Sequence, residues 1–187
     1  VSFESDISFV VPGRALNEVS RILSEGSDEL VGMQISKKHI IFYIGSFQIF
    51  SRLLEGDFLD YNAAIPKSSS TKVKINTREF IDAVERVSLL ISDRIKSPLR
   101  VKFIEDEIVL NCSTALGRAV DTVGASIEGG ALEMGFNNRY LLDALRAAQC
   151  DEVCLEISGP LSPMKVVPIN SNAFIFLVLP VRLKSDM

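Results

Sequence analysis

Hydrophobic and polar positions along the chain spell one motif three times. Phe9-Val10-Val11-Pro12-Gly13-Arg14, Val73-Lys74-Ile75-Asn76-Thr77-Arg78 and Met134-Gly135-Phe136-Asn137-Asn138-Arg139 each read as a short strand, a two-residue turn and an arginine. The turn residues suit the N-cap and first positions of a helix. Apolar residues then recur at helical spacing: Leu16, Val19, Ile22 and Leu23; Phe80, Ile81, Val84, Val87 and Leu90; Leu141, Leu142, Leu145 and Ala148. Three amphipathic helices are predicted.

Strands follow each helix. In the first unit they are 30–36, His39–Ile44 and 47–54, with Lys37-Lys38 and Gly45-Ser46 as hairpin turns. In the second they are Leu99–Ile104, 107–112 and about 117–126, turning at Glu105-Asp106. In the third they are 152–158, Met164–Pro168 and 173–179. The unit is β-α-β-β-β, and it repeats with too many strands for an ordinary solenoid. The last strand, Phe174-Ile175-Phe176-Leu177-Val178-Leu179, is an apolar run expected to be buried. Pro180 should end it, having no N–H for a ladder. Val181-Arg182-Leu183 then presents an apolar tip where chain ends are normally polar. Segment 57–67, with Pro66 and Ser68-Ser69-Ser70 after it, marks a domain boundary, and Gly129-Gly130 joins the second unit to the third.

Composition adds limits. The 187 residues allow one large or two small domains, and 47% hydrophobic content supplies a core. The net charge of −4 predicts no nucleic-acid binding by itself. Cys112, Cys150 and Cys154 form no C-x-x-C pair and read as free thiols of a reducing cytosol. No signal peptide or membrane-length apolar run is evident. The first residue is Val1, and the pattern is entered midway, so a piece of a longer protein is expected.

Arginines recur on the polar helical faces. Arg14 and Arg21, Arg78 and Arg86, and Arg139 and Arg146 stand seven or eight residues apart, roughly along one face. Glu18, Asp82 and Asp143 follow the first of each pair by four residues, so a solvated face of ion pairs is one reading. Yet arginine ahead of its acid is the poorer orientation, and a cation in the first turn opposes the helix dipole. Repeated three times, these choices fit cations held for a phosphate backbone, which fixes no sequence. Catalytic chemistry finds no footing. His39 is the only histidine, Cys150-x-x-x-Cys154 is a weak metal pattern, and no phosphate-binding glycine loop or nucleophile elbow is present.

Three sequence words give the pattern a family. Leu53-Leu54-Glu55-Gly56-Asp57-Phe58-Leu59-Asp60-Tyr61, Glu133-Met134-Gly135-Phe136-Asn137 with Tyr140-Leu141-Leu142-Asp143, and Leu179-Pro180-Val181-Arg182-Leu183 together resemble the bacterial DNA polymerase III β subunit, the sliding-clamp family. The resemblance implies an α+β DNA-clamp fold, with helices on the pore side and antiparallel sheets outside. It implies a split into the second half of a middle domain at 1–59, a linker at 60–70, a C-terminal domain at 71–183 and a tail at 184–187. It further implies a non-enzymatic, cytoplasmic, homodimeric ring around duplex DNA, needing no cofactor or metal and binding no membrane. The six arginines would face the DNA.

Polymerase III catalytic subunit, clamp loader and repair proteins would each dock a short Leu/Phe-bearing motif. By the same resemblance the receiving pocket would include Leu59, Ala63, Ala64, Ile95, Tyr140, Leu161 and Pro163, together with Val178, Leu179, Pro180, Val181, Arg182 and Leu183. Leu89 and Leu90 would close the ring against another protomer and be partly exposed here. Two rival readings stand beside this one: a β-rich protein-interaction module without a DNA role, and an enzyme fragment lacking its catalytic half.

Overall fold

The computed structural model describes residues 8–23, 30–56, 58–92 and 97–183. It divides into two compact units, Val1–Asp60 and Tyr61–Met187.

In the first unit α1 (Gly13–Ile22) starts behind Pro12, whose carbonyl accepts from the Ala15 and Leu16 N–H groups. No side chain caps it, because proline stands where Asn, Ser or Asp would. Strands β1 (Gly32–Ile35), β2 (His39–Ile44) and β3 (Phe47–Arg52) form an antiparallel meander. Alternation along β2 buries Ile40, Phe42 and Ile44, which form a small core with Val19 of α1. Two expectations shorten. The strand before α1 is a single bridge between Val10 and Leu54, and the predicted strand 30–36 keeps only Gly32–Ile35. Met33, Phe47 and Leu16 stay exposed around this core.

The second unit opens with α2 (Tyr61–Ala64), a single turn. Then come β4 (Thr71–Asn76), α3 (Thr77–Ser88), β5 (Leu99–Ile104), β6 (Glu107–Thr114), β7 (Gly117–Gly124) and β8 (Ser126–Glu128). The last repeat supplies β9 (Leu132–Phe136), α4 (Asn138–Ala148), β10 (Glu152–Ile157), β11 (Met164–Pro168), β12 (Phe176–Val178) and β13 (Pro180–Val181). They form two five-stranded sheets, ordered β12-β11-β10-β4-β8 and β13-β9-β5-β6-β7.

These orders show an exchange that the linear motif does not reveal. The leading strand of each repeat belongs to the sheet of the other. β4 pairs with β10 in the register Val73 to Leu155, and β9 pairs with β5 in the register Met134 to Val101. The third strand of each repeat then bends into the opposite sheet as β8 or β13, again beside a leading strand. The two repeats are thus related by an internal two-fold. Their shared core is closed by Phe80, Phe103, Phe136, Leu141, Leu145 and Leu155, all essentially inaccessible to solvent.

The apolar run at the chain's end departs from expectation. Only Val178 is buried; Phe174, Phe176 and Leu177 are half-buried, and Ile175 and Leu179 are exposed. The strand is Phe176–Val178, on the edge of its sheet, so one face of the run meets solvent. Pro180 does not terminate pairing. The strand of the first sheet ends at Val178, and Pro180 stands opposite Phe136 in the second sheet, at an edge, where proline is tolerated. The serines after Pro66 are also tied down. The Ser70 N–H donates to the Ile157 carbonyl at 2.8 Å, and the Ser158 hydroxyl donates to the Ser68 carbonyl.

Phe80 fills the middle of the shared core and is fully buried. Phe80→Ala is expected to lower the unfolding free energy by about 3–5 kcal/mol, measured by guanidinium titration, because the cavity cannot refill.

Candidate functional site

Helices α3 and α4 carry the candidate arginines, and their starts are fixed by the strands before them. Asn76 and Asn137 end the leading strands and cap the helices; their side-chain oxygens accept from the Glu79 and Arg139 N–H groups, each at 3.0 Å. The helices pack side by side, with the first turn of α3 beside the last turn of α4. A shallow notch of about 250 Å³ there brings together Arg78 and Arg146, with Ile81 and Leu145 at its base.

The arginine side chains mostly hold carboxylates. Arg78 Nε lies 3.1 Å from Asp82, Arg86 Nε lies 2.7 Å from Asp121 of β7, and Arg146 reaches Glu85 of α3 at 2.7 Å. In the first unit Arg21 pairs with Glu18 at 3.1 Å. Of the three i,i+4 pairs read from the sequence, only Arg78–Asp82 forms among the described residues. Arg14 and Arg139 are exposed and make no ion pair among the described residues. α3 and α4 together present four arginines against Glu79, Asp82, Glu85 and Asp143, so their exposed face is close to neutral.

A larger cleft of about 740 Å³ opens at the other end of this helix pair. Tyr140, Arg139 and Asn137 line one side, Val181 another, and Ile91 and Pro98 a third. Tyr140 is 61% exposed, so it presents its ring rather than packing locally. Among the predicted pocket residues the structure brings Tyr140 and Val181 into this cleft. Leu161 and Leu179 are 64% and 65% exposed apolar surface, and Pro163, Pro180 and Leu183 are half-buried. Val178 is a core residue opposite Met164 and offers no surface. Ala63, Ala64 and Arg182 are exposed. Leu59 belongs to the first unit and is exposed there, and Ile95 lies outside the described residues, as does segment 184–187. Sequence reasoning missed Asn137 and Pro98. The cap role of Asn137 was legible, but its place on the cleft wall required the strand exchange.

Leu89 is 84% exposed at the end of α3, and Leu90 is half-buried, with part of its side chain against the core. The helix lies across β7, the outermost strand of its sheet. The remaining chemistry is quiet. His39 packs its ring against Phe50 with centroids 4.9 Å apart. Burial pushes the Cys112 and Cys154 thiols up, and the Glu156 carboxylate raises Cys154 further. No group of three His, Cys, Asp or Glu side chains able to hold a metal occurs among the described residues. No described helix is long and apolar enough to cross a membrane.

Doubled repeats, strand exchange and a paired-helix face define the class: an α+β clamp fold built from antiparallel sheets. The chain belongs to the DNA polymerase III beta subunit family. The family's C-terminal domain profile matches residues 62–182 and its central domain profile residues 1–60. Beta sliding clamps of Bacillus subtilis and Staphylococcus epidermidis are 33% and 32% identical, over 92% of this chain. The chain spans about half the length of these relatives, 46% in each case. The solved Bacillus subtilis sliding clamp superposes with a TM-score of 0.88 at 30% identity, over 98% of this chain and 49% of that one. A Bartonella birtlesii sliding clamp bound to griselimycin gives 0.83 at 32% identity, over 94% and 47%.

The ion pairs of Arg86 and Arg146 lie on the surface, where water screens them. Arg86→Ala and Arg146→Ala are each expected to change the unfolding free energy by less than about 1 kcal/mol in chemical denaturation.

Proposed function

We propose that this chain is part of a sliding clamp that encircles duplex DNA and tethers the replicative polymerase for processive synthesis, with no catalytic site of its own. The observation that carries the reading is the agreement of both units with a solved sliding clamp over nearly the whole chain. The helix face bearing Arg78, Arg86, Arg139 and Arg146, with Arg14 and Arg21 on α1, would meet the phosphate backbone. Contacts from arginine to phosphate read no bases, so binding is sequence-independent. A face whose charge is nearly balanced suits a ring held by its topology rather than by affinity. The protein would act in the cytoplasm, in keeping with three free thiols.

The same balance of arginines and carboxylates favours the rival reading, a protein-interaction module with no DNA role. Exchanging Arg14, Arg78, Arg139 and Arg146 for glutamate in the intact protein separates the two. Loading onto primed DNA and processive synthesis should be lost. Full retention of both would assign the arginines to surface ion pairing alone.

Partners would enter through the cleft beside Tyr140 and Val181. Exposed Leu161 and Leu179 would extend it, and a short Leu/Phe-bearing peptide of the Gln-Leu-x-Leu-Phe type would set its apolar side chains against Tyr140, Ile91, Pro98 and Val181. Polymerase III catalytic subunit, clamp loader and repair proteins would compete for it. Binding should be about micromolar, near −8 kcal/mol, which permits exchange of partners. Fluorescence anisotropy with such a peptide is expected to show at least a tenfold loss after removal of residues 181–183; unchanged binding would place the site elsewhere.

Ring closure would use Leu89 and the free edge of β7, where a strand from another protomer can add to the ladder. Leu90, packed against the core, would anchor the turn behind it. Leu89→Asp is expected to shift the intact protein from dimer to monomer in sedimentation velocity while leaving the far-UV circular dichroism spectrum in place, since the side chain contributes little to the core.

A further inference from the structure

Gly135 lies in the middle of β9, between Met134 and Phe136, both fully buried. Its outward direction is therefore the face away from the core. A Cβ there would lie 2.6 Å from the Leu183 side chain, 2.6 Å from the Val181 carbonyl oxygen and 3.1 Å from Leu183 Cγ. One of these obstacles is backbone, so a rotamer change cannot clear it. The backbone of Gly135 itself has no need of glycine, because the residue is absent from the positive-φ positions of the chain. The demand is for space alone.

The internal two-fold supplies a control. Lys74 of β4 holds the corresponding place: it stands two residues before the cap Asn76, as Gly135 stands two before Asn137, and it faces Ser126 of β8 as Gly135 faces Val181 of β13. At that place the fold accepts a long exposed side chain. Glycine at 135 is thus not required by the scaffold. It is required where the segment 181–183 crosses the sheet and lays Leu183 over the gap.

We propose that Gly135 is a positioning residue: it seats Val181-Arg182-Leu183 flat on β9, and so fixes the wall of the cleft that Val181 provides for a partner peptide. This rests on reading that cleft as the peptide site. The seat is narrow, since β13 contributes only two paired residues and the strand lies at a sheet edge. With a methyl group at 135 the segment must lift, and Val181 moves with it.

Two readouts on the intact protein test this. In Gly135→Ala, amide hydrogen exchange across 181–183 should rise by about tenfold or more while β5 and β10 keep their protection. Peptide affinity should fall by about tenfold or more in anisotropy, with DNA retention unchanged. Lys74→Ala at the mirror position should alter neither. Leu183→Ala, which empties the same gap without crowding the strand, should also raise exchange at 181–183, and it decides the matter if Gly135→Ala does not fold. Unchanged exchange in the folded variants overturns the proposal. Faster exchange with unaltered peptide affinity overturns the link from Gly135 to capture. Absence of peptide binding by the unaltered protein overturns the cleft reading instead, and the exchange measurements still decide whether Gly135 seats the segment.

Discussion

Everything in the larger unit depends on the exchange of leading strands. β4 is joined through Asn76 to the helix of its own repeat, yet it is hydrogen-bonded along its length to β10 of the next. β9 makes the reciprocal ladder with β5. Each strand has N–H and C=O groups that must find partners once buried, and the partners lie in the other repeat. Neither repeat therefore completes a sheet alone. The helices inherit this constraint. Because they start where the exchanged strands stop, α3 and α4 are held side by side and reversed over one core. That reversal creates both the arginine notch at one end and the Tyr140 cleft at the other.

The scaffold is symmetric, but its chemistry is not. Asn76 and Asn137 cap their helices alike, and Arg78 and Arg139 follow at matching places. One position further on, Glu79 answers Tyr140, and two before the cap Lys74 answers Gly135. The departures cluster where the terminal segment lies. Two charged side chains, Lys74 and Glu79, stand in one repeat, while an aromatic ring and an open gap stand in the other. Identical backbone at two sites with unlike side chains separates what folding needs from what a particular surface does.

Much of this was legible in the linear pattern, and the reasons for the failures are physical. β5 and β11 were readable to the residue because their apolar residues alternate between turns, and alternation is a local property. The caps were readable for the same reason, since Asn76 and Asn137 act within three residues of themselves. Which sheet a leading strand joins depends on residues far along the chain, Leu155 for Val73 and Val101 for Met134, and periodicity carries no such information. The terminal run misled because six consecutive apolar residues look like a buried strand, whereas a sheet edge leaves two of them exposed and three half-buried. At the site, the type of residue was legible and its company was not. Arg86 was placed among outward cations but turns to Asp121, an acid on β7 brought near by folding.

That last pairing bears on how a helix face can attend to DNA. A cation committed to a carboxylate at 2.7 Å presents a dipole rather than a net charge, and its field decays faster with distance. Such a surface attracts phosphate weakly until the phosphate is close, when it competes with the carboxylate for the guanidinium. Both pairs are exposed, so water already screens them and either partner can be exchanged at small cost. Arg14 and Arg139, without acids of their own among the described residues, carry the fields that act at longer range. On the clamp reading proposed above, weak attraction everywhere and strong attraction nowhere would leave a low barrier between successive phosphates. Acidic residues among the arginines are then compatible with motion along a duplex, because a uniformly basic lining would hold each phosphate longer.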